Sequence, residues 1–312
     1  ATMASVALPE MKRRKYHPGF AGGTVAAAGG IGMMIPPSVV FIVYGIMTEQ
    51  SIGKMFVAGI IPGILVSLLF VAAIALMCRR RPALAPASPR ATWRERIKSL
   101  GGVTEILLLF ALVMGGMFAG WFTPTEAAAV GAAGSVAIAA IARKCTIKML
   151  ATALMETLRT SCMVLVIVAG ASVFGHFLQI TNLPTGIATW LAGLPLPPVG
   201  IMAAILVFYM IAGAFLDALA LVLLTIPIFH PVILKLGYDP VWFGVMIVLV
   251  TQMGVISPPV GVNVYVVGGM DRSIPLQSVF KGAIPYLVAL VAATILLMLF
   301  PSLATYLPSA VH

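Results

Sequence analysis

With 312 residues, 61% of them hydrophobic and 9% charged, and a mean hydropathy of +1.10, the chain lies outside soluble globular composition and inside that of multi-span membrane proteins. The formal charge of +10 comes from short basic clusters between apolar stretches, not from one continuous face, which argues against nucleic acid as a partner. Cys78, Cys145 and Cys162 have neither metal-ligand nor redox spacing, so they read as small core residues.

Taken in chain order, with a membrane span needing about 20 apolar residues, the chain opens in mid-helix, at the end of an amphipathic helix over 1–15. A broken span follows at 20–48, rich in glycine (Gly22, Gly23, Gly29, Gly30, Gly32), then a continuous span at 55–78. The stretch 79–98 joins the halves as a cytoplasmic linker; Pro82, Pro86 and Pro89 exclude a helix there, and its charge excludes burial. Spans are expected at 99–121, 124–142 and 160–180, with a basic amphipathic connector at 146–159 along the membrane interface. The apolar run 198–236 is too long for one helix and is interrupted by Gly213-Ala214-Phe215-Leu216-Asp217, which predicts a re-entrant hairpin with its tip at mid-membrane. A broken span at 240–270 and a last span at 279–305 complete the chain.

Sidedness follows from the basic clusters. Lys12-Arg13-Arg14-Lys15, then Arg79-Arg80-Arg81 with Arg90, Arg94, Arg96 and Lys98, then Arg143-Lys144 with Lys148, all read as cytoplasmic. Alternation then puts both ends of 198–236 outside, Arg272 and Lys281 inside, and little beyond Lys54 and Lys235 on the external loops.

Residues 1–78 recur 222 positions later: Pro9 with Pro231, Tyr16 with Tyr238, Pro18 with Pro240, Gly22 with Gly244, Gly32 with Gly254, Pro36-Pro37 with Pro258-Pro259, and Ser51-Ile52 with Ser273-Ile274. After one inserted residue the match resumes, Gly59-Ile60-Ile61-Pro62 against Gly282-Ala283-Ile284-Pro285. Interrupted membrane helices in equivalent places of two halves point to a transporter's binding site. The chain then divides into the end of a first repeat (1–78), the linker (79–98), second-repeat scaffold spans with their connector (99–197), and second-repeat transport elements (198–312). On this division the partner of Leu100–Val222 precedes Ala1, roughly 120 residues if the repeats are of similar size. The chain is therefore expected to be N-terminally incomplete.

Proline has no N–H, so Pro258 and Pro259 withhold the usual helical donors from the carbonyls of Gly254 and Val255, and Pro36 and Pro37 withhold them from Gly32 and Met33. Unwound carbonyls beside Ser38, Ser257 and Asn263 suit a weakly hydrated cation such as Na⁺, and the half-helix N-terminus beyond each break suits an anionic group. A plain proline kink is the bland alternative; two breaks at matched positions outweigh it. Asp217 stands at the hairpin tip in an apolar stretch, where a carboxylate either coordinates a cation and holds the tip or simply caps the next helix.

Other polar groups read as structural. Thr123-Pro124-Thr125-Glu126 forms a capping box, Glu105 is interfacial, and Trp93, Trp121, Trp190 and Trp242 fit an aromatic belt. His176 is the one candidate for a proton relay and reads first as a hydrogen-bonded residue. Gly29-Gly30-Ile31-Gly32 lacks the strand and Lys that phosphate binding requires, and no catalytic set accompanies it, so an enzyme has no support.

Several motifs in combination resemble one family. They are Gly29-Gly30-Ile31-Gly32 through Pro36-Pro37-Ser38, Tyr44-Gly45, Thr48-Glu49-Gln50-Ser51-Ile52-Gly53-Lys54, Phe122-Thr123-Pro124-Thr125-Glu126-Ala127-Ala128-Ala129, Phe215-Leu216-Asp217 and Ser257-Pro258-Pro259-Val260-Gly261-Val262-Asn263. Over nearly the whole chain they resemble the large membrane subunit of TRAP transporters, the DctM-like family. The resemblance implies an all-α polytopic fold of inverted repeats working as an elevator, with a re-entrant hairpin and broken transmembrane helices. It implies sodium-driven uptake of a small organic acid, a C4-dicarboxylate or a sialic acid, across a bacterial or archaeal inner membrane. Implied partners are a small four-helix membrane subunit and a periplasmic solute-binding protein. Site roles carry over to Gly32, Pro36, Pro37 and Ser38, and to Asp217, Gly254, Ser257, Pro258, Pro259 and Asn263. A proton-coupled or antiport carrier, and a channel-like membrane protein, are the competing readings.

Overall fold

The computed structural model describes residues 2–86, 92–95, 101, 103–192, 195, 197–271 and 273–310, and the regular elements among them are helices. The readings at Pro89, Arg90, Arg96, Lys98, Leu100 and Arg272 lie outside these residues. Six helical stretches are long and apolar enough to cross a membrane: Pro18–Met47, Ile52–Arg80, Pro124–Ile141, Ile147–Leu178, Ala218–Lys235 and Leu276–Leu299. The protein is an all-α, multi-pass membrane protein.

Helices α1 (Thr2–Arg13), α2 (Pro18–Met34), α3 (Val39–Met47) and α4 (Ile52–Arg80) come first, and Pro82 then opens a single 3₁₀ turn, Pro82–Leu84, within the expected linker. Next come α5 (Thr104–Phe118), α6 (Pro124–Ile141), α7 (Ile147–Ile180) and α8 (Leu183–Ala192). The series ends with α9 (Pro198–Gly213), α10 (Ala218–Lys235), α11 (Pro240–Gly254), α12 (Val262–Met270), α13 (Leu276–Leu299) and α14 (Ser302–Ala310). The expected interface connector and the span after it are one helix, α7, because no Pro or Gly interrupts 147–169. Helix α8 falls where no span is expected, and Pro301 ends the last span, so α14 is separate.

Two compact units divide the chain: Ala1–Ala87 with Ala169–His312, and Ser88–Val168. In the smaller unit α5 packs on α6 through glycines, Gly134 against Leu109 and Gly116 against Phe122. Helix α6 starts in the expected capping box, with the Thr123 N–H donating to Glu126 Oε2 at 2.8 Å and the Glu126 N–H donating to Thr123 Oγ1 at 3.3 Å.

The larger unit carries the repeated elements. Prolines open α2 and α11 at their first position, where the absent N–H costs nothing. Asp239 caps α11 by accepting the Trp242 N–H at 2.9 Å. Lys15 and Gly237, 222 positions apart, both take a left-handed φ after α1 and α10, at 60° and 77°. A Lys12–Asp271 ion pair of 3.0 Å ties the end of α1 to the α12–α13 loop; there the Ser273 hydroxyl and then the Lys12 ammonium hold the Asp271 carboxyl down to about 2.

Close approach of backbones positions the breaks. Helices α2 and α13 cross at glycines: a Cβ on Gly23 would stand 2.2 Å from the carbonyl carbon of Gly282, and one on Gly282 would stand 1.9 Å from Gly19 O. Helices surrounded by apolar lipid gain little from hydrophobic burial alone, so dispersion contacts between small residues carry this crossing. Trp242, expected in the aromatic belt, is 1% exposed and donates Nε1–H to Leu297 O at 2.9 Å; it is a core residue joining α11 to α13. Trp93, Trp121 and Trp190 are exposed.

Because the obstacle at Gly282 is backbone, a side chain there cannot be absorbed by rotamer change. Gly282→Val is expected to cost more than about 3 kcal/mol, seen as loss of a monodisperse, cooperatively melting protein in detergent. Gly269→Ala, whose added methyl meets nothing within 4 Å, is the control expected to melt like the parent.

Candidate functional site

Each proline pair interrupts a helix. Helix α2 ends at Met34 and α3 starts at Val39; α11 ends at Gly254 and α12 starts at Val262. Both Pro-Pro peptide bonds are cis.

At the first break the Ile35 N–H donates to Ile31 O at 3.0 Å and closes the last turn of α2. Among the described residues no donor reaches the carbonyl of Gly32 or Met33, as the missing proline N–H groups predict. Ser38 is buried and caps α3, its Oγ accepting the Phe41 N–H at 3.4 Å.

The second break is closed differently. Gly254 O accepts the Ser257 N–H at 3.2 Å and the Ser257 hydroxyl at 3.3 Å, and Val255 O accepts the Asn263 N–H at 3.0 Å. The expectation of two matched pairs of free oxygens therefore holds at Gly32 and Met33 and is corrected at Gly254 and Val255. The chain between Ser257 and Asn263 doubles back and supplies the donors that the prolines cannot. Gly261 makes this possible, with φ at +56° and a would-be Cβ 2.8 Å from Phe280 Cε1 and 3.0 Å from Ser257 O.

The site residues converge on α2. Asn263 Nδ2 donates to Ala26 O at 3.1 Å, and a Cβ on Gly29 would stand 3.4 Å from the same nitrogen. A Cβ on Gly30 would stand 2.6 Å from Gln252 Cγ. The end of α9 meets the second break, since a Cβ on Gly254 would lie 2.3 Å from the carbonyl carbon of Gly213, the last residue of α9. Of the two roles open to Asp217, the cap has a hydrogen bond behind it: Oδ2 accepts the Leu219 N–H at 2.9 Å at the start of α10, and the residue is exposed.

Two polar groups escape sequence reading. Gln252 is fully buried on α11. His230 lies on α10 beside Pro231, with Nε2 buried and unpartnered among the described residues. His230 and His176 line one cavity of about 600 Å³, together with Met47, Ser172, Asn182 and Ile226. An imidazole between Pro227 and Pro231 in an apolar helix, and a lone amide in α11 at the repeat counterpart of Gly30, were the available signals.

Residues 1–303 match the family model described as "Tripartite ATP-independent periplasmic transporter, DctM component". The chain is 35% identical over 310 residues to the C4-dicarboxylate TRAP transporter large permease protein DctM of Pseudomonas aeruginosa, covering 99% of this chain and 72% of that one. It is 34% identical to the sialic acid TRAP transporter large permease protein SiaM of Vibrio cholerae, covering 98% and 71%. It is also 35% identical to the isethionate TRAP transporter permease protein DctMQ of Oleidesulfovibrio alaskensis, covering 99% of this chain and 47% of that one.

Gly261→Ala places a side chain where both φ and space exclude it. The substitution is expected to cost at least about 1 kcal/mol from the left-handed backbone alone, with more from Phe280, and to lower the melting temperature of the purified protein. Gly32→Ala, whose Cβ meets nothing within 4 Å, should leave it nearly unchanged.

Proposed function

Because the chain belongs to the DctM-component family of tripartite ATP-independent periplasmic transporters, we propose that it is the large permease subunit of a sodium-coupled uptake system for a small organic acid. It is a transporter component and not an enzyme. The observation that carries the proposal is the packing of the helices that flank two breaks at repeat-equivalent positions, with Gly29 and Gly30 of α2 against Asn263 and Gln252. Backbone left without helical partners at membrane depth persists where it is covered by protein and lines a polar site.

In this reading the oxygens of Gly32 and Met33, with Ser38, hold one cation. The second lone pair of Val255 O, and Gly254 O once the Ser257 hydroxyl turns from it to the ion, with Ser257, Asn263 and Asp217, hold another. Each cation exchanges hydration water for carbonyls and orders its break, and the ordered site then accepts the anion beside a half-helix N-terminus. The loaded hairpin and broken helices move as a body against the remaining spans, as an elevator of inverted repeats. The cargo is dicarboxylate or sialic-acid-like, in keeping with what two of the relatives are named for. A small four-helix membrane subunit and a periplasmic solute-binding protein complete the system, in the inner membrane of a bacterium or archaeon.

Reconstitution of the full-length transporter with its partners in proteoliposomes tests the sites. Ser257→Ala removes one hydroxyl, and Asp217→Asn keeps a capping residue while removing the charge. Each is expected to raise the half-saturating sodium concentration several-fold, about five-fold if one ligand is worth about 1 kcal/mol. Wild-type sodium response in both variants rejects the site.

A proton-coupled or antiport carrier is the second reading, favoured by the two imidazoles in one cavity. It requires uptake that ignores sodium, follows pH, and loses that pH dependence in His230→Gln. Sodium-dependent uptake with an unaltered pH profile in that variant removes it.

A further inference from the structure

The polar atoms of Gln252 are used neither by a hydrogen bond among the described residues nor by the cation positions proposed above. It lies on α11 two residues before Gly254, is 0% exposed, and has no hydrogen-bond partner for either Oε1 or Nε2 among the described residues. A carboxamide taken out of water without a partner costs more than its methylenes return, whereas an apolar side chain of the same length costs nothing of the kind. The amide therefore needs a partner in some state of the protein.

Its position says which. A Cβ on Gly30 would stand 2.6 Å from Gln252 Cγ and 2.9 Å from Nε2, so the absence of a side chain on α2 is what admits the amide. Gly30 and Gln252 are 222 positions apart and are each other's repeat counterpart. Two equivalent positions in contact place this one side chain at matched distances along α2 and α11 from the two breaks. Met33 follows Gly30 by three residues, which at 3.6 residues per turn puts it on the same face of α2 about 4.5 Å further along, whereas Gly32 lies on the far side of the helix.

We propose that Gln252 is a cation ligand shared between the breaks: its Oε1 joins the carbonyl oxygen of Met33 around Na⁺. An amide oxygen is a neutral, hard donor of the same kind as the backbone carbonyls beside it, so it adds coordination without adding charge. Because Gln252 belongs to α11, the ion at the first break pulls on the helix that leads into the second, and the two breaks order together. The inference rests on the sodium-coupled reading above and adds a ligand and a coupling route to it.

The test needs no cargo. The full-length protein is purified in detergent and its melting temperature followed as NaCl replaces choline chloride at constant ionic strength. The parent should show a saturable, sodium-specific rise. Gln252→Met, which keeps the volume and removes both polar atoms, should need at least five-fold more NaCl for half of that rise, while melting no lower than the parent in choline. Gly30→Ala, whose methyl displaces the amide, should shift the titration the same way; if the methionine variant does not fold, Gln252→Asn, which retracts the amide by one methylene, carries the same expectation. A parent that ignores sodium overturns the sodium-coupled reading itself. A parent that responds, with variants that titrate identically, overturns only the role of Gln252 and leaves it as a packing residue.

Discussion

Inside a membrane a backbone carbonyl that loses its helical donor has no bulk water to turn to, and two proline pairs impose that loss on adjacent carbonyls at two places in this chain. The carbonyls opposite Pro36, Pro37, Pro258 and Pro259 must be covered by protein, closed by local donors or offered to a ligand. The second break takes the middle course, through Ser257 and the Asn263 N–H. The first leaves Gly32 and Met33 without a donor among the described residues. Much of the larger unit can be read as the packing that makes such backbone tolerable at membrane depth.

That packing depends on the absence of side chains. Gly19, Gly23 and Gly282 let α2 and α13 meet backbone to backbone, and Gly213 and Gly254 do the same for the hairpin tip and the second break. Close backbone approach gives dispersion contact that lipid chains cannot match around an irregular segment. It also brings Ala26, Gly29 and Gly30 within reach of Asn263 and Gln252, so the glycines that permit the fold also admit these two amide side chains.

Features encoded over a few residues were legible without coordinates. Paired prolines, the 222-residue recurrence, the Gly213–Asp217 interruption and the Thr123–Glu126 box each lead from local chemistry to an observed break or cap. What was not legible depends on partners distant in the chain. An apolar residue reads alike whether it meets lipid or another helix, so the burial of Trp242 against Leu297 could not be told from a place in the belt. The donors that close Gly254 and Val255 follow from how residues 257–263 turn, which proline counting alone does not contain. Helix α7 was divided because basic residues at its start resemble an interfacial segment, although nothing in 147–169 breaks the backbone ladder.

The recurrence is close in backbone and unequal in chemistry. Counterparts of Gln252, Ser257 and Asn263 in the first copy are Gly30, Ile35 and Phe41, so these three polar side chains belong to the second copy, while Ser38, opposite Val260, belongs to the first. The bare carbonyls belong to the first. Two identical sites would each need a full set of donors; here one copy brings oxygens held in place by an unwound backbone and the other brings side chains that can turn toward them. Gln252 and Asn263 reach across from the second copy to touch α2, so the two contributions meet along the glycine face of that helix. On the reading proposed above, a site divided in this way would be complete only while α2 and α11 keep their contact, and a motion carrying a bound ion across the membrane would move both helices together.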